Sequence, residues 1–141
     1  MKIISHRGNL DGKEIENENT KFAIKRAISF GFDVEIDLWS TERGLFLGHD
    51  LPQYDVEFEW LDKLKKYLWV HAKNRDAARL LSQTDLNWFW HENDVMTLTS
   101  KGIIWSNIGV YVDGGITVEL DYKKLPDYIL GVCTDKPTKY K

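Results

Sequence analysis

The sequence predicts an α/β protein whose sheet is largely parallel, and three observations support this. Short apolar runs typical of β-strands alternate with segments whose apolar residues recur at helical spacing. Glycines and polar turn residues separate these segments. The chain has 141 residues, 43% hydrophobic and 13% aromatic, which suffices for one core but not for two. We therefore expect one domain over residues 1–141, with βα units, right-handed crossovers and ligands at the carboxyl ends of the strands.

The first fifty residues are expected to contain three strands and one helix. An apolar run closes just before Gly8, and Asn19-Thr20 can then cap a helix that Gly31 ends. The following segment alternates apolar and acidic residues, as a strand does when its two faces differ. The predicted elements are a strand over 2–6, a helix between Thr20 and Gly31, a strand over 32–39 and a short returning strand over 45–47.

The remaining residues continue the alternation of strands and helices. The pattern is clear as far as Ser106 and weaker after Gly109. The turn residues Asp113-Gly114-Gly115 favour a β-hairpin. The predicted elements are a helix over about 57–67, a strand over 68–72, a helix over 76–82, strands over 86–91 and 103–106, a hairpin over 110–120 and a last strand over 129–133.

Charge and cysteine content exclude several classes of protein. There are 19 lysines and arginines against 22 acidic residues, so the net charge is −3, and no basic run indicates a nucleic-acid partner. The single Cys133 excludes an internal disulfide. No stretch approaches the twenty apolar residues of a transmembrane helix. We expect a soluble, cytoplasmic protein.

Two acidic residues on one strand are the first candidate ligands. Side chains alternate along a strand, so Glu35 and Asp37 point to one side, about 7 Å apart. In an apolar interior they would repel each other unless an arginine or a cation joined them. A hard divalent metal ion meets this need. The alternative is an exposed sheet face with both acids in water.

Two histidines and an arginine lie close to these acids in the sequence. His6 ends the first predicted strand and is followed by Arg7 and Gly8, and His49 precedes Asp50. Arginine binds phosphate through a two-pronged donor, and histidine exchanges protons near neutral pH. Cleavage of a phosphodiester by in-line displacement needs a base and an acid on opposite sides of phosphorus. Two histidines from different loops could supply them.

Six motifs occur in a characteristic order and carry a resemblance to a known family. They are His6-Arg7-Gly8, Glu18-Asn19-Thr20, Glu35-Ile36-Asp37, His49-Asp50, Lys73, and Thr134-Asp135-Lys136-Pro137. With these motifs the chain resembles the glycerophosphodiester phosphodiesterase family. The resemblance is specific over residues 1–50 and suggestive around 69–73 and 131–137. It implies a metal-dependent hydrolase with a TIM-barrel fold.

The resemblance also implies roles for individual residues. His6 and His49 would be the general acid and base, and Glu35 and Asp37 would bind calcium or magnesium. Arg7 and Lys73 would hold the substrate phosphate. Two further assignments come from the residues themselves: we expect Glu18 to order the site through hydrogen bonds rather than to bind the metal, and Asp135 to form a turn before Pro137 rather than to be a site residue.

Length separates this chain from a complete barrel of that family. Eight βα units take about 250 residues, so we expect an abridged TIM-like (β/α) barrel with parallel strands and missing later helices. The 110–120 hairpin, or another subunit of a homo-oligomer, would cover the sheet edge. Trp88-Phe89-Trp90 and Trp105 are expected to fill the small barrel rather than to bind substrate.

The third metal ligand also differs from the family pattern. His71 stands where a glutamate is usual, two residues before Lys73. Magnesium or calcium is the expected ion, but coordination by His71 would favour manganese or zinc. The alternatives are Glu92 or water as the third ligand, with His71 as a hydrogen-bonded residue of the barrel.

Two classes of function follow. The first is metal-dependent hydrolysis of a glycerophosphodiester or of a related sugar-phosphate or polyol-phosphate diester. The second is a non-catalytic module that binds a phosphorylated sugar, polyol or lipid headgroup. Phospholipase chemistry on phosphatidylinositol is a weaker third option, because no apolar loop suggests membrane docking.

Overall fold

Ten strands form one continuous, curled sheet in the computed structural model, which describes residues 1–141, and three short helices pack against it. None of these helices has the length and apolar character needed to cross a bilayer. The strands are β1 (Lys2–His6), β2 (Asp33–Thr41), β3 (Gly44–Leu47), β4 (Tyr54–Val56), β5 (Leu68–Ala72), β6 (Trp88–Trp90), β7 (Met96–Leu98), β8 (Ile104–Ser106), β9 (Ile116–Val118) and β10 (Gly131–Thr134). The helices are α1 (Lys21–Ser29), α2 (Phe58–Lys63) and α3 (Arg75–Leu81), followed by a 3-10 turn over Pro137–Lys139.

The sheet is mainly parallel. β1 lies between β2 and β10; the parallel ladder continues through β5 and β6 on one side and through β9 and β8 on the other. β3, β4 and β7 are antiparallel to the strands with which they pair. β3 returns as the sequence predicts, whereas β4 and β7 are strands that the sequence does not predict and that depart from the expected parallel barrel. The β2–β3, β3–β4 and β7–β8 connections are too short for a crossover. The α/β class and the parallel core of the sheet are confirmed.

The curl brings β6 and β7, the last strands of the two arms, next to each other. The Ser100 amide donates to the Trp88 carbonyl at 2.7 Å, and the Thr97 hydroxyl donates to the Trp90 carbonyl at 2.8 Å. These bonds satisfy backbone acceptors that an open sheet edge would leave to water. This seam, rather than the predicted 110–120 hairpin, lies along these two strands.

Capped helices cover the first half of the sheet only. The Thr20 hydroxyl accepts from the Ala23 amide at 3.1 Å at the start of α1, and Asn74 caps α3 in the same way. α1 packs against β2, and α3 packs against β2 and β5. Beyond α3 the chain has no further α-helix, and loops join the later strands. The structure thus has few helices, and none of its α-helices lies beyond Leu81.

The predicted hairpin over residues 110–120 is wrong. Only Ile116–Val118 is a strand there, and β9 pairs in parallel with β8 and β10. The Gly114 amide donates to the Tyr128 carbonyl at 2.9 Å, and the Leu130 amide donates to the Gly115 carbonyl at 2.8 Å. Gly114 and Gly115 thus hydrogen-bond to residues just before β10, and no hairpin forms over residues 110–120.

Two groups of apolar side chains occupy opposite faces of the sheet. The larger lies between the helices and the sheet and includes Ile24, Leu38 and Leu81. The smaller takes one side chain from each of six strands, which places it on the concave face. We call it the inner cluster; it consists of Ile4, Trp69, Phe89, Trp105, Ile116 and Cys133.

The inner cluster is held together by stacked rings. Phe89 and Trp105 lie 4.5 Å apart between ring centroids, and Trp69 and Trp105 lie 5.7 Å apart. Phe89 and Trp105 are buried, as expected for residues that fill the interior. Trp88 and Trp90 point to the other face and pack against the larger core, since side chains alternate along β6.

Gly8 is required where the chain turns from β1 towards α1. Its φ is +88°, and a Cβ there would lie 2.8 Å from the Ala23 Cβ and 2.9 Å from the Ala23 carbonyl carbon. Gly102 has a similar φ of +81° but open space around it. The two glycines therefore share backbone strain and differ in packing.

Substitution of these two glycines by alanine separates the two effects. We expect Gly102→Ala to cost about 1 kcal/mol, the penalty of a left-handed backbone. Gly8→Ala should cost about 1–3 kcal/mol more, because the added methyl overpacks against α1. Urea unfolding of both variants measures this difference, and equal costs would contradict the close approach of α1.

Candidate metal and phosphate site

A cavity of about 410 Å³ opens at the carboxyl ends of the parallel strands. All four histidines of the chain line it, together with Arg7, Glu35 and Asp37. Asn107 lies at its side, and Phe89, Trp105, Ile108 and Val118 form an apolar wall. The volume suits a small ligand.

Strand alternation explains how so many polar residues reach one place. Each member of the inner cluster is followed two residues later, on the same face, by a residue of the cavity or of its immediate support. Five lining residues arise in this way, and Asp135 follows Cys133 in the same pattern. The lining residues so placed are His6, His71, His91, Asn107 and Val118.

The two acidic residues of β2 form the buried centre of the site. Glu35 is 3% exposed and Asp37 is fully buried, which excludes the alternative of an exposed acidic sheet face. Glu35 Oε1 and Asp37 Oδ1 are buried and accept no hydrogen bond. A buried carboxylate oxygen without a hydrogen-bond partner is costly, so these two atoms are open to a proton or to a bound cation.

The two carboxyl groups differ in their electrostatics. Burial and the neighbouring Asp37 raise the pKa of Glu35 well above its usual range. Burial also opposes the ionisation of Asp37, but its contact with His71 and the charge of Arg7 hold the pKa of Asp37 well below its usual range. Asp37 is thus the anion that the fold stabilises, whereas Glu35 is ionised only at a cost.

His71 faces both acids. Its Nδ1 lies 3.3 Å from Asp37 Oδ1 and 3.8 Å from Glu35 Oε2. Its Nε2 lies 2.8 Å from the His91 carbonyl oxygen, which can only accept, so Nε2 carries the proton of that bond. The other ring nitrogen, Nδ1, therefore faces the carboxylates; it donates to Asp37 when it carries a proton and is the atom that would bind an ion in place of that proton.

These three residues fit a divalent metal ion. Glu35, Asp37 and His71 are the one group of acidic, histidine or cysteine side chains whose ligand atoms converge, all within 4.8 Å of one another. Donors about 2.0–2.2 Å from a shared ion lie within about 4.4 Å of each other, and both His71 distances satisfy this limit. Glu92, the alternative third ligand, is exposed and outside the group.

Arg7 and Asn19 hold Asp37 in place. Arg7 Nε lies 3.2 Å from Asp37 Oδ2, and the Asn19 side chain both donates to Asp37 Oδ2 and accepts from the Asp37 amide, each at 3.0 Å. Arg7 and Asn19 have positive φ values of 59° and 63°. Such strain in residues with side chains persists only where surrounding contacts enforce it.

Glu18 supports Arg7 from the other side. It accepts from Arg7 Nη1 at 3.3 Å and from Asn9 Nδ2 at 2.8 Å. Arg7 Nη2 makes no hydrogen bond or ion pair within the chain. That amino group is the part of the guanidinium left for a ligand in the cavity.

His6 is held by a buried carboxylate. Its Nδ1 lies 2.7 Å from Asp135 Oδ1, which also accepts from Asn9 Nδ2 at 2.9 Å. His6 Nε2 lies 3.9 Å from Glu35 Oε1. The sequence predicts that Asp135 is a turn residue rather than a site residue. Its carboxylate is buried and orients His6, so Asp135 belongs to the site.

His49 and Lys73 stand at the rim. His49 Nδ1 lies 2.7 Å from Asp50 Oδ1, and the His49 side chain is 44% exposed. Burial and the nearby charge of Arg7 lower the pKa of His49. Lys73 Nζ lies 3.9 Å from Asp37 Oδ1, next to the presumptive ligands.

Sequence reasoning missed four polar residues of the site. Asn9, Asn19, His91 and Asn107 all hydrogen-bond to residues already described or to each other. The alternation along β6 and β8 could have indicated His91 and Asn107, which follow buried aromatic residues by two positions. Asn9 and Asn19 lie in irregular backbone, where no periodicity applies.

Comparison with known protein families, with characterised protein sequences and with solved structures gave no match. The functional argument therefore depends on the geometry of this site.

Proposed function

We propose that the protein hydrolyses a small phosphodiester, such as a glycerophosphodiester or a related sugar-phosphate or polyol-phosphate diester, with the help of a divalent metal ion. One observation carries the proposal. Two histidines, one oriented by a buried carboxylate, line the same cavity as a buried Glu/Asp/His group with unpartnered oxygens. This combination supplies proton transfer and charge compensation in one place.

The resemblance to the glycerophosphodiester phosphodiesterases belongs to this proposal. We interpret the curled sheet as an abridged TIM-like barrel, in which seven parallel strands remain and the later helices are lost. The position of the cavity at the carboxyl ends of the strands supports this interpretation.

Glu35, Asp37 and His71 would hold the metal ion. When bound, a divalent ion polarises a phosphoryl oxygen and offsets the charge that develops on it. Magnesium and calcium favour the two carboxylates, while manganese and zinc also accept the imidazole nitrogen. The high pKa of Glu35 means that the ion competes with a proton for this carboxylate.

The two histidines divide the proton transfers. His49 has a lowered pKa, so it is neutral near pH 7 and can take a proton from the water molecule whose oxygen attacks phosphorus as the bond to the leaving oxygen breaks. His6 gives a proton to the leaving oxygen, and Asp135 holds its ring so that Nε2 faces the cavity. Arg7 Nη2 and Lys73 then bind the phosphate oxygens.

A metal-dependence experiment tests the proposal directly. After removal of metal by chelation, we expect no release of glycerol 3-phosphate from glycerophosphocholine, and recovery on addition of Mg²⁺, Ca²⁺ or Mn²⁺. Chromatography or an enzymatic assay for the product measures this. Metal-linked binding of glycerol phosphate in calorimetry, without turnover of any diester offered, would instead favour the non-catalytic module.

The pH profile tests the assignment of the base. A general base must be neutral, so kcat/KM should fall as the pH drops through the pKa of His49, with a midpoint below the ordinary imidazole value of about 6.5. In His49→Ala this acidic limb should disappear from the residual activity. An unchanged limb in the variant would assign it to another group.

A further inference from the structure

We propose that His91 is a positioning residue for the metal site: its backbone carbonyl and its clamped ring hold His71 with Nδ1 towards Glu35 and Asp37, which favours ions that accept a nitrogen ligand. The inference rests on the proposed function, because it presupposes that a metal ion binds these three residues.

The first step is the hydrogen bond between the two histidines. His71 Nε2 donates to the His91 carbonyl at 2.8 Å, which fixes the ring tautomer and leaves Nδ1 for the acidic side. Phe89 stacks on the His71 ring with centroids 5.0 Å apart and limits its rotation. A histidine that ligates a metal commonly donates its second nitrogen to such an acceptor.

The second step concerns what holds the His91 carbonyl. The His91 ring faces oxygen acceptors at both nitrogens: Asp94 Oδ2 at 2.9 Å and Asn107 Oδ1 at 2.8 Å. Asn107 Nδ2 in turn donates to the Asp94 carbonyl at 3.0 Å. His91, Asp94 and Asn107 thus close a ring of hydrogen bonds between the β6–β7 connection and the end of β8. We call this ring the His91 clamp.

The clamp lies next to the candidate metal ligand His71, which it contacts through the His91 carbonyl. The His91 side chain is 11% exposed and lines the cavity, but it is not one of the three candidate ligands Glu35, Asp37 and His71. Asp94 and Asn107 approach it from two different loops. Two buried carboxylates alone would favour magnesium or calcium, whereas a fixed imidazole nitrogen adds affinity for cobalt, manganese and zinc.

The prediction is a selective loss of affinity for nitrogen-binding ions. His91→Phe keeps a ring of similar volume but removes both ring nitrogens, and Asn107→Ala removes the oxygen that faces His91 Nε2. We expect both variants to lose about 10–100-fold in Co²⁺ affinity, the usual effect of changing a residue that orients a ligand. Mg²⁺ affinity should change far less, since it depends mainly on the carboxylates.

Calorimetric titration of Co²⁺ and Mg²⁺ into the metal-free protein measures the ratio of the two affinities. The absorption spectrum of the Co²⁺ form reports separately on nitrogen coordination. His71→Ala gives the affinity ratio expected when that ligand is lost. Asn107→Asp, unlike Asn107→Ala, keeps an oxygen facing His91 Nε2. Asp85→Asn is the control, because it changes an exposed acid elsewhere. The inference is supported if the Co²⁺ to Mg²⁺ affinity ratios of His91→Phe and Asn107→Ala shift towards that of His71→Ala. The ratio of Asn107→Asp should in addition return to that of the unaltered protein.

Three outcomes would overturn the inference and are distinguishable from one another. If the unaltered protein binds neither ion, the proposed metal site fails and the inference fails with it. If the unaltered protein binds Co²⁺ and both clamp variants keep its affinities for both ions and its Co²⁺ spectrum, the metal site stands and the positioning role of His91 is refuted. If both variants lose affinity for Co²⁺ and Mg²⁺ by the same factor, the clamp serves only to stabilise the fold.

Discussion

Replacement of His6 by alanine is expected to lower kcat for phosphodiester hydrolysis by about 10²–10⁴-fold. A buried carboxylate fixes the orientation of the His6 ring in the cavity, through the 2.7 Å contact with Asp135. In the proposed mechanism, loss of the ring removes the acid that protonates the leaving oxygen. Steady-state kinetics should show the change in kcat rather than in KM, because the substrate phosphate is bound by other residues.

Asp135→Asn refines the same prediction. The asparagine keeps the size of the side chain but removes the charge that orients His6, so kcat should fall in the same direction by a smaller factor. Metal affinity in calorimetry should stay unchanged in both variants, which separates loss of catalysis from loss of the site. Arg79→Ala, an exposed change on α3, is the control. Full activity of His6→Ala would remove His6 from the mechanism.

The second large effect concerns the two buried acids. Loss of charge should lower the free energy of unfolding at one of them and not at the other. Asp37→Asn should destabilise the fold by about 3 kcal/mol, because Arg7 loses the negative charge of its buried partner and an amide oxygen accepts from Asn19 more weakly than a carboxylate does. Glu35→Gln should leave stability unchanged or higher, because the fold already favours the neutral form of this side chain. Both substitutions should abolish metal binding.

Urea unfolding as a function of pH measures this contrast. The lowered pKa of Asp37 means that its anion stabilises the fold fully above about pH 4, the pKa of an unfolded aspartate. The difference in free energy of unfolding between the unaltered protein and Asp37→Asn should therefore become smaller as the pH falls below that value. Equal destabilisation by Asp37→Asn and Glu35→Gln would contradict the unequal environments of the two acids.

Local sequence patterns were sufficient to predict most elements in the first half of the chain. The predicted strand over 68–72 coincides with β5, and Thr20 caps α1 as its side-chain chemistry indicates. Short edge strands were not predictable. β4 and β7 have three residues each, and their pairing with a neighbour, not their own pattern, defines them.

In the candidate site, too, local patterns predict some features and only the tertiary structure shows the others. Alternation along β2 places Glu35 and Asp37 on one face whatever the rest of the chain does. It does not reveal that this face is concave and buried, which depends on pairing with β1 and β5 and on the curl of the whole sheet. Burial in turn leaves two carboxylate oxygens without partners.

By itself, then, the sequence determined the class of fold, the face of each strand and the residue types suited to phosphodiester chemistry, because these depend on composition and on near neighbours. Only the tertiary structure joined Asp135 to His6, Asn19 to Asp37 and His91 to His71. These contacts link residues 18 to 129 positions apart. Separations of this size are bridged by strand pairing and sheet curl, which no local pattern specifies.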